Sequence, residues 1–443
     1  MSDGRRSAPS KREPAVRPQP VTLAVIAREW GRIGVTGFGG PPAHIALLRG
    51  LCVQRNSWLS EAEFEDGIAA TSLLPGPAST QLAIFCAWRL AGPVGAVVGG
   101  VCFIVPGLII ILALSALFLA HSPPAWVSGA AAGAGAAVPA VAVGAAIGLL
   151  PASWRRANAV ASAAPRTAAV RTAVPDAAAA RPVAAADSTT AATHAAPRVT
   201  AARVRWAGYL LAGGLAANLA GEYLVAVLLV CGLLEWLISR RAARTGPAEG
   251  RHGGVMAGLA VKAGVTAGVV GSLSWVALKV GALSFGGGFV IIPLMQHDAV
   301  HTYHWMTTAQ FLSAVALGQV TPGPVVLTVG VVGYAAAGLA GGLLAVLIAF
   351  TPSFVFVLAG GPHFDKFRRS TAAQAFLSGA GPAAIGAIGG AAVTLGLGLT
   401  QLWQVAVLAA AVCWLIALRR GVVSTLLGAA GVGVIVALAG GLS

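Results

Sequence analysis

The segment Phe38-Gly39-Gly40-Pro41-Pro42-Ala43-His44-Ile45 decides the fold, because its start recurs 247 positions later as Phe285-Gly286-Gly287-Gly288. Pro75-Gly76-Pro77 recurs at the same displacement as Pro322-Gly323-Pro324. Further pairs share this displacement: Arg32/Lys279, Gly34/Gly281, Ile45/Ile292, Val53/Val300, Trp58/Trp305, Phe64/Phe311, Gly95/Gly342 and Phe103/Phe350. A gapless match anchored by glycine, proline and tryptophan predicts two homologous halves that share helix-breaking motifs.

The composition indicates a membrane protein. Hydrophobic residues make up 57% of the chain and charged residues 10%, with a mean hydropathy of +0.81, which is unusual for a soluble domain. Residues 299–364 and 371–418 contain no Asp, Glu, Lys or Arg. Uncharged apolar runs of this length are typical of membrane-spanning helices. We predict an all-α polytopic membrane protein with about 13 transmembrane segments, in which helices break at the Gly and Pro motifs.

Several function classes are disfavoured. The net charge is +15, but the cations lie in connecting segments, and no basic patch is interleaved with aromatic residues as in a nucleic-acid-binding module. No lysine follows a glycine, so the chain has no P-loop. We expect no enzyme activity, no cofactor, no metal and no nucleic-acid partner. Scattered cysteines without CxxC spacing are interpreted as small buried hydrophobic residues: Cys52, Cys86, Cys102, Cys231 and Cys413.

Changes in composition divide the chain. Residues 1–20 predict a disordered basic tail, and residues 21–150 the first transporter repeat. Residues 151–205, rich in Ala, Pro and Arg, predict a disordered cytoplasmic linker. An apolar hairpin and a basic loop occupy residues 206–252, and the second transporter repeat occupies residues 253–443.

Loop charges predict that the two halves have opposite orientations. The turn at residues 121–124 carries no fixed charge, whereas its counterpart at residues 363–369 carries Lys366, Arg368 and Arg369. Because Lys and Arg collect on the cytoplasmic side, the first turn should face out and the second should face in. The result is an inverted repeat, as in many secondary transporters, with a cytoplasmic N-terminus. The loop at residues 297–310 should also face in, yet it contains no Lys or Arg.

The repeated motifs predict helix starts that line a cavity. Gly39-Gly40 lets the backbone turn, and both Pro41 and Pro77 lie where proline is favoured at the beginning of a helix. Each start presents free N–H groups and the positive end of a helix dipole, which together attract anions. Arg32 and Lys279 each lie six residues before a Phe-Gly-Gly motif and would add a symmetric pair of cations.

These features predict a transporter for a small dianion. Two alternatives stay open: Gly and Pro would only allow close helix packing, and the two cations would only snorkel to the membrane interface. His44 and Glu222 are candidate proton carriers, although a structural role for His44 is equally consistent with the sequence. The candidate substrate-binding residues are Arg32, Phe38, Gly39, Gly40, Pro41, His44, Pro75, Gly76, Pro77, Ser79, Thr80, Gln81, Lys279, Phe285, Gly286, Gly287, Gln319, Thr321, Pro322, Gly323 and Pro324.

The motifs resemble those of the chromate ion transporter family. The resemblance rests on Leu74-Pro75-Gly76-Pro77-Ala78-Ser79-Thr80-Gln81 and Gly318-Gln319-Val320-Thr321-Pro322-Gly323-Pro324, together with the Phe-Gly-Gly segments. It implies the long form of the family, with two domains, in the bacterial inner (plasma) membrane. It also implies a carrier that expels chromate and confers chromate resistance, with sulfate as a competing analogue.

Rival functions differ in what they require. A carrier for sulfate or another tetrahedral oxyanion would need the same site. A membrane-embedded enzyme would need catalytic carboxylate, His or Cys clusters at membrane depth, and the repeats contain none. A channel would be distinguished from a carrier by conductance in place of saturable exchange. Besides the lipid bilayer and the anion, the sequence allows a homodimer without specifying one.

Overall fold

The computed structural model describes residues 21–72, 74–120, 122–163, 188–219, 223–244, 268–284, 289–360 and 370–440. Several sequence predictions fall outside these residues: the tail at 1–20, Glu222, and Phe285-Gly286-Gly287.

The described part of the chain is helical and contains no strand. In chain order the helices are α1 (Leu23–Thr36), α2 (Pro41–Arg49), α3 (Glu61–Thr71), α4 (Ala78–Phe118), α5 (Ala125–Ala163), α6 (Ser188–Leu219), α7 (Leu224–Arg244), α8 (Val269–Leu283), α9 (Ile291–Gln296), α10 (Thr308–Val320), α11 (Thr328–Gly360), α12 (Thr371–Leu397), α13 (Leu402–Val412) and α14 (Val422–Leu438). The expectation of an all-α protein is confirmed for these residues.

Helix α4 folds back on itself and is in fact a helical hairpin. Its backbone leaves helical geometry at Ala91 and at Gly92, which has φ +62°, and Pro93 begins the second limb. A Cβ atom added at Gly95 would lie 2.5 Å from the carbonyl oxygen of Ala87, so the two limbs touch directly beyond the turn. At 1.5 Å per residue the first limb, residues 78–90, is about 20 Å long, which is shorter than the hydrocarbon core of a bilayer.

Helix α11 contains the same hairpin. Its interruption lies at Ala337 and at Gly338, which has φ +64°, and Gly341 packs against the carbonyl oxygen of Gly333. Both hairpins therefore use glycine where a side chain would hold the limbs apart.

The backbone repeats with the sequence. The π-helical turn Gly50–Arg55 has its counterpart in His297–Thr302, 247 residues later. Each turn is followed by a residue with positive φ, Ser57 at 48° and His304 at 53°. Non-glycine residues rarely adopt this conformation, so its recurrence at the same displacement shows that the two halves share this part of the backbone path.

Helices α3 and α10 begin with the same capping box. The Ser60 hydroxyl accepts a hydrogen bond from the Glu63 backbone N–H, while the Glu63 side chain accepts one from the Ser60 N–H. Thr307 and Gln310 make the same reciprocal pair. Each box satisfies donors that a helix start leaves free, so the duplication extends to local hydrogen bonding.

The register between the halves changes by one residue beyond the second motif. The interruptions at Ala91 and Ala337 are 246 residues apart, as are Pro106 and Pro352. The cause is the 3₁₀ turn Val325–Leu327, which has no counterpart at the start of α4. Because a 3₁₀ turn rises about 2.0 Å per residue and an α-helix about 1.5 Å, the second half covers the same length with one residue fewer.

Two of the expected residue pairs are therefore wrong by one position. Phe103 corresponds to Ala349, because Gly34 approaches the carbonyl oxygen of Phe103 and Gly281 that of Ala349. Gly95 corresponds to Gly341 by the hairpin geometry. The sequence pairs that have to be corrected are Gly95/Gly342 and Phe103/Phe350.

The two halves share one apolar core. Helix α1 packs on α4, α8 packs on α11, and α4 packs on α11 across the halves. The core includes Trp30, Phe64, Phe103 and Phe311, all fully buried. The Trp30 indole N–H also donates to the Ala83 carbonyl oxygen at 2.8 Å, which ties α1 to the first limb of α4.

By length and composition, four described helical segments could cross a membrane: residues 78–118, 125–158, 325–360 and 371–397. The first and the third of these contain the hairpin turns described above. Three shorter apolar helices lie at 269–283, 402–417 and 422–438. These helices identify a polytopic membrane protein. The count of about 13 segments and the opposite orientation of the halves stay predictions.

The segment expected to be a disordered linker, residues 151–205, is helical at both ends. Helix α5 continues to Ala163 and α6 begins at Ser188, while residues 164–187 lie outside the described ranges. The reason is partly the high helix propensity of alanine and partly packing. Trp206 donates to the Ser153 hydroxyl at 3.0 Å, and its ring meets Trp154 edge to face at 5.0 Å.

Candidate functional site

The first helix break forms as the sequence predicts. Gly39 and Gly40 have φ of +98° and +73°, which an L side chain rarely adopts, and Gly40 is the residue that precedes α2. Pro41 occupies the first position of that helix. Phe38 is 46% exposed and points away from the core. The break thus leaves the start of α2 without a side-chain cap.

His44 connects this break to the start of α4. It is fully buried, and its Nε2 lies 2.9 Å from the Gly37 carbonyl oxygen while its Nδ1 lies 3.3 Å from the Ser79 hydroxyl. Since a carbonyl only accepts, Nε2 carries the proton and Nδ1 accepts from Ser79. The ring also stacks edge to face on Phe103 at 5.0 Å. With both nitrogens engaged, His44 positions the break.

The break of the first half meets the second motif of the other half. The Gly323 backbone N–H donates to the Gly37 carbonyl oxygen at 3.1 Å, so this oxygen accepts from both halves. Gly323 has φ +106°, and the flanking Pro322 and Pro324 are buried with it. The sequence predicted the two breaks separately, and the structure brings these two together.

The Pro75-Gly76-Pro77 break packs against the long helix of the other half. Gly76 has φ +123°, and a Cβ atom added there would lie 3.3 Å from the Ser353 hydroxyl of α11. The Gln81 amide nitrogen donates to the Pro75 carbonyl oxygen at 2.7 Å and holds the break closed. Helix α4 begins directly after Pro77, as predicted.

The opposite half repeats this packing with different side chains. Gly107 of α4 lies against the carbonyl oxygen of Pro322. Gly107 and Ser353 are 246 residues apart and occupy corresponding positions. The Ser353 hydroxyl therefore faces the break at Gly76, whereas only the backbone of Gly107 faces the break at Pro322.

Buried polar atoms without a hydrogen-bond partner collect at these breaks. Such atoms cost about 1–3 kcal/mol each unless something satisfies them, and in native proteins they call for an explanation. Thr80 and Ser353 are fully buried, and Gln81 is fully buried with its amide oxygen unpaired. The unpartnered atoms near the motifs are Thr80 Oγ1, Gln81 Oε1, Ser284 Oγ, Gln319 Nε2 and Ser353 Oγ.

Except for the Gln81 amide oxygen, which only accepts, these groups are hydrogen-bond donors and suit a small oxyanion better than a metal. Hydroxyl and amide donors bind tetrahedral oxyanions, and the start of α4 adds free backbone N–H groups. Among the described residues, no three His, Cys, Asp or Glu side chains lie close enough to hold a metal ion.

The two predicted cations have different partners. Arg32 is 60% exposed at its side chain and lies 3.9 Å from Glu29. Lys279 is mostly buried and forms an ion pair with Asp298 at 2.6 Å. Neither partner belongs to a helix break, so the symmetric pair of cations expected from the sequence differs between the halves.

Thr321, a predicted site residue, and Arg89 also have local partners. The Thr321 hydroxyl donates to the Leu317 carbonyl oxygen at 2.7 Å within its own helix. Arg89 forms an ion pair with Glu63. The backbone N–H of Ser60 is the first of several groups that lower the pKa of Glu63, and Arg89 adds to the effect. Neither Thr321 nor Arg89 presents a free group to the breaks.

Sequence reasoning did not single out two buried acids, Asp298 and Glu235, which are 7% and 6% exposed. Glu235 in α7 receives a bidentate hydrogen bond from Arg205 at 2.8 and 3.0 Å and another from the Tyr209 hydroxyl at 3.1 Å. For Asp298 the signal in the sequence was its position directly before the uncharged residues 299–364.

Comparison with known proteins identifies the family to which this chain is similar. The family model described as Chromate transporter matches residues 24–236 and 271–436. The chain is 30% identical to "Chromate transport protein" of Cupriavidus metallidurans over 382 residues, 84% of this chain and 82% of that protein. It is 26% identical to "Probable chromate transport protein" of Synechococcus elongatus over 85% of each chain. It is 29% identical to "Chromate transport protein" of Pseudomonas aeruginosa over 85% of this chain and 82% of that protein.

No solved structure matches the chain at a significant level. The family model nevertheless covers both halves and includes every break described above. This protein belongs to the chromate transporter family.

Proposed function

We propose that this membrane protein is a secondary transporter that exports chromate across the bacterial inner membrane and thereby confers chromate resistance. Support comes from family membership, from the names of relatives that align over most of their length, and from the apolar helices. The absence of a P-loop in the sequence favours an ion gradient or the membrane potential as the source of energy.

The anion binds where helix breaks of the two halves meet. The observation that carries this proposal is the hydrogen bond from the Gly323 N–H to the Gly37 carbonyl oxygen, beside buried polar atoms that lack partners. Broken helices survive in membranes where they line a cavity or the protein interior, because lipid cannot satisfy their backbone groups. The junction of the halves is such a place.

Each group has a defined task in binding. The Thr80 and Ser353 hydroxyls and the Gln319 amide donate hydrogen bonds to the oxygens of the anion. These hydrogen bonds replace those that the anion loses when it leaves water. The free N–H groups at the start of α4 add a positive dipole end. His44 keeps the start of α4 at a fixed distance from the Gly37 break through Ser79 and Gly37.

Alternating access follows from two halves in opposite orientation. When one half rocks against the other around the shared junction, the anion faces first the cytoplasm and then the outside. The hydrogen bond between Gly323 and Gly37 crosses the junction and would break and re-form in each cycle. The polar side chains stay within single helices and move with them.

Everted membrane vesicles test this function. Respiring vesicles that contain the protein should accumulate chromate in the lumen, a protonophore should prevent the accumulation, and vesicles without the protein should show none. Expression should also raise the chromate tolerance of a sensitive host. Accumulation equal to that of empty vesicles would overturn the proposal. Preferential uptake of sulfate in competition would assign the same site to a different oxyanion.

A further inference from the structure

Lys279 and Asp298 form a buried ion pair in the second half. Lys279 Nζ lies 2.6 Å from an Asp298 carboxylate oxygen, with 19% and 10% of the two side chains exposed. The ammonium group also lies 5.7 Å from the centre of the Trp275 ring. The pair connects the end of α8 to the π-helical turn after α9, and thus bridges the two elements on either side of the second Phe-Gly-Gly motif.

The first half has no such pair. Leu51 stands 247 residues before Asp298, in a π-helical turn with the same bounds relative to the motif. The counterpart of Lys279 is Arg32, which is exposed and lies near Glu29 of its own helix. Since the backbone is the same in both halves, the fold does not require an acid at this position.

Stability alone is a poor explanation for the pair. Removing two charges from water costs several kcal/mol per ion, and apolar residues of similar size often stabilise a buried site equally well. Leu51 shows that an apolar residue fits the corresponding position in this fold. A buried pair of this kind is better explained by a change in its charge state.

Protonation of Asp298 would release the charge of Lys279. While the carboxylate is ionised, its negative charge cancels the attraction of the ammonium group for an anion. Once it is neutral, Lys279 is a buried cation without a counter-ion, a state that favours binding of an anion. Anion binding and proton uptake therefore assist each other.

The surroundings of Asp298 contain few competing groups. His297, His301 and Tyr303 belong to the same segment, and Lys279 reaches it from α8. Helix α10, which packs on this segment, and α12, which packs on α9, contain no Asp, Glu, Lys, Arg or His. The histidines are the groups whose titration must be separated from that of Asp298.

We propose that Asp298 is the proton-coupling residue of this transporter and that Lys279 exchanges between Asp298 and the transported anion. This inference rests on the proposed function. On the cytoplasmic side the Asp298 carboxylate takes up one proton as the dianion binds, and on the other side it releases the proton as the anion leaves. One net negative charge leaves the cell per cycle, so an inside-negative membrane potential still drives export.

Ionophores distinguish this mechanism in respiring everted vesicles, whose lumen is acidic and positive. Because a proton enters the acidic lumen with each anion, the pH gradient opposes accumulation while the potential drives it. With respiration adjusted so that the membrane potential is equal with and without nigericin, nigericin, which removes the pH gradient, should therefore increase chromate accumulation, and valinomycin with potassium should abolish it. No response to nigericin, or a decrease, in vesicles that do accumulate chromate would overturn the inference and leave the proposed function intact.

The variant Asp298→Asn tests whether Asp298 carries the transported proton. It should retain accumulation but lose the increase with nigericin, whereas Glu29→Gln, at the Arg32–Glu29 ion pair of the first half, should respond like wild type. A nigericin response that persists in Asp298→Asn would place the proton on the anion or on a histidine and would overturn the assignment. If this variant does not fold, the response of the wild-type protein still decides whether a proton accompanies the anion.

Discussion

The two halves of this protein have nearly the same backbone and different chemistry. The first half contributes His44, Ser79 and Gln81 around its breaks, where the second half has Ile291 and the apolar turn Val325–Leu327. Conversely, the second half contributes Gln319, Ser353 and Asp298. Their counterparts in the first half are Ser72, Gly107 and Leu51.

The difference shows which features a duplicated scaffold must keep. Glycines in left-handed conformations, capping boxes and hairpin turns recur because the backbone path depends on them. Polar side chains at the junction need not recur, because the backbone path does not depend on them. The halves therefore share the scaffold and differ in the polar groups that they place at the junction.

The largest expected effect concerns the close packing that both halves share. A Cβ atom at Gly281 would overlap the carbonyl oxygen of Ala349, while one at Gly34 would lie 2.6 Å from that of Phe103. Because backbone cannot move aside cheaply, Gly281→Ala should destabilise the protein by about 3 kcal/mol or more, and Gly34→Ala by somewhat less. Melting temperature and monodispersity in detergent measure the effect.

Gly428→Ala is the matched control for these two variants. Gly428 lies within α14 and has no atom within 4 Å of an added Cβ. Alanine there should leave stability unchanged or raise it by up to about 1 kcal/mol. If Gly281→Ala melted like this control, close contact at Gly281 would not hold α8 against α11 within the second half.

The second largest expected effect concerns the affinity of the proposed anion site. Thr80→Val keeps the size of the side chain and removes a buried hydroxyl that has no partner in the protein. A hydrogen bond to a charged group contributes about 1.5–3 kcal/mol, so the apparent affinity for chromate should fall roughly tenfold to a hundredfold. The concentration dependence of chromate uptake by everted vesicles measures it.

Thr425→Val provides the comparison, because Thr425 is buried in α14 and its hydroxyl donates to the Gly421 carbonyl oxygen at 2.9 Å. This variant should lose some stability but keep its affinity for chromate. Equal losses of affinity in both variants would show that Thr80 acts through folding and not through the anion.

The smallest expected effect is a difference between the two capping boxes in how their stability depends on pH. In the first half the pKa of Glu63 is lowered from its ordinary value of 4.5, chiefly by the Ser60 N–H, so the ionised form stabilises the start of α3. This stabilisation is complete above the ordinary pKa and is lost as the pH falls through the lowered pKa. The second half has the uncharged Gln310 at this position and should not respond.

Hydrogen exchange measured by mass spectrometry checks this contrast. The ratio of protection at residues 60–66 to protection at residues 307–313 should fall in the acid range, and Glu63→Gln should remove the change. A ratio that stays constant with pH in wild type would contradict the assignment of Glu63 as the pH-sensitive cap.

Local features were predictable because they depend on nearby residues. Pro41 and Pro77 mark helix starts at which proline loses no hydrogen bond, and the duplication followed from identities at one displacement. The one-residue change in register was not predictable, since a 3₁₀ turn and an α-helical turn do not differ in these apolar residues. The helical ends of the 151–205 segment were missed because Trp154 and Trp206 contact each other only in the folded chain.

By itself the sequence determined the membrane environment, the matching residues 247 positions apart and the places where helices break. These depend on composition and on the backbone limits of glycine and proline, which act within a few residues. Only the tertiary structure decided that Gly323 of one half meets Gly37 of the other, and that Lys279 faces Asp298 while Arg32 stays exposed. Such contacts join residues far apart in the chain, and burial then determines whether a charge or a hydroxyl is free to act.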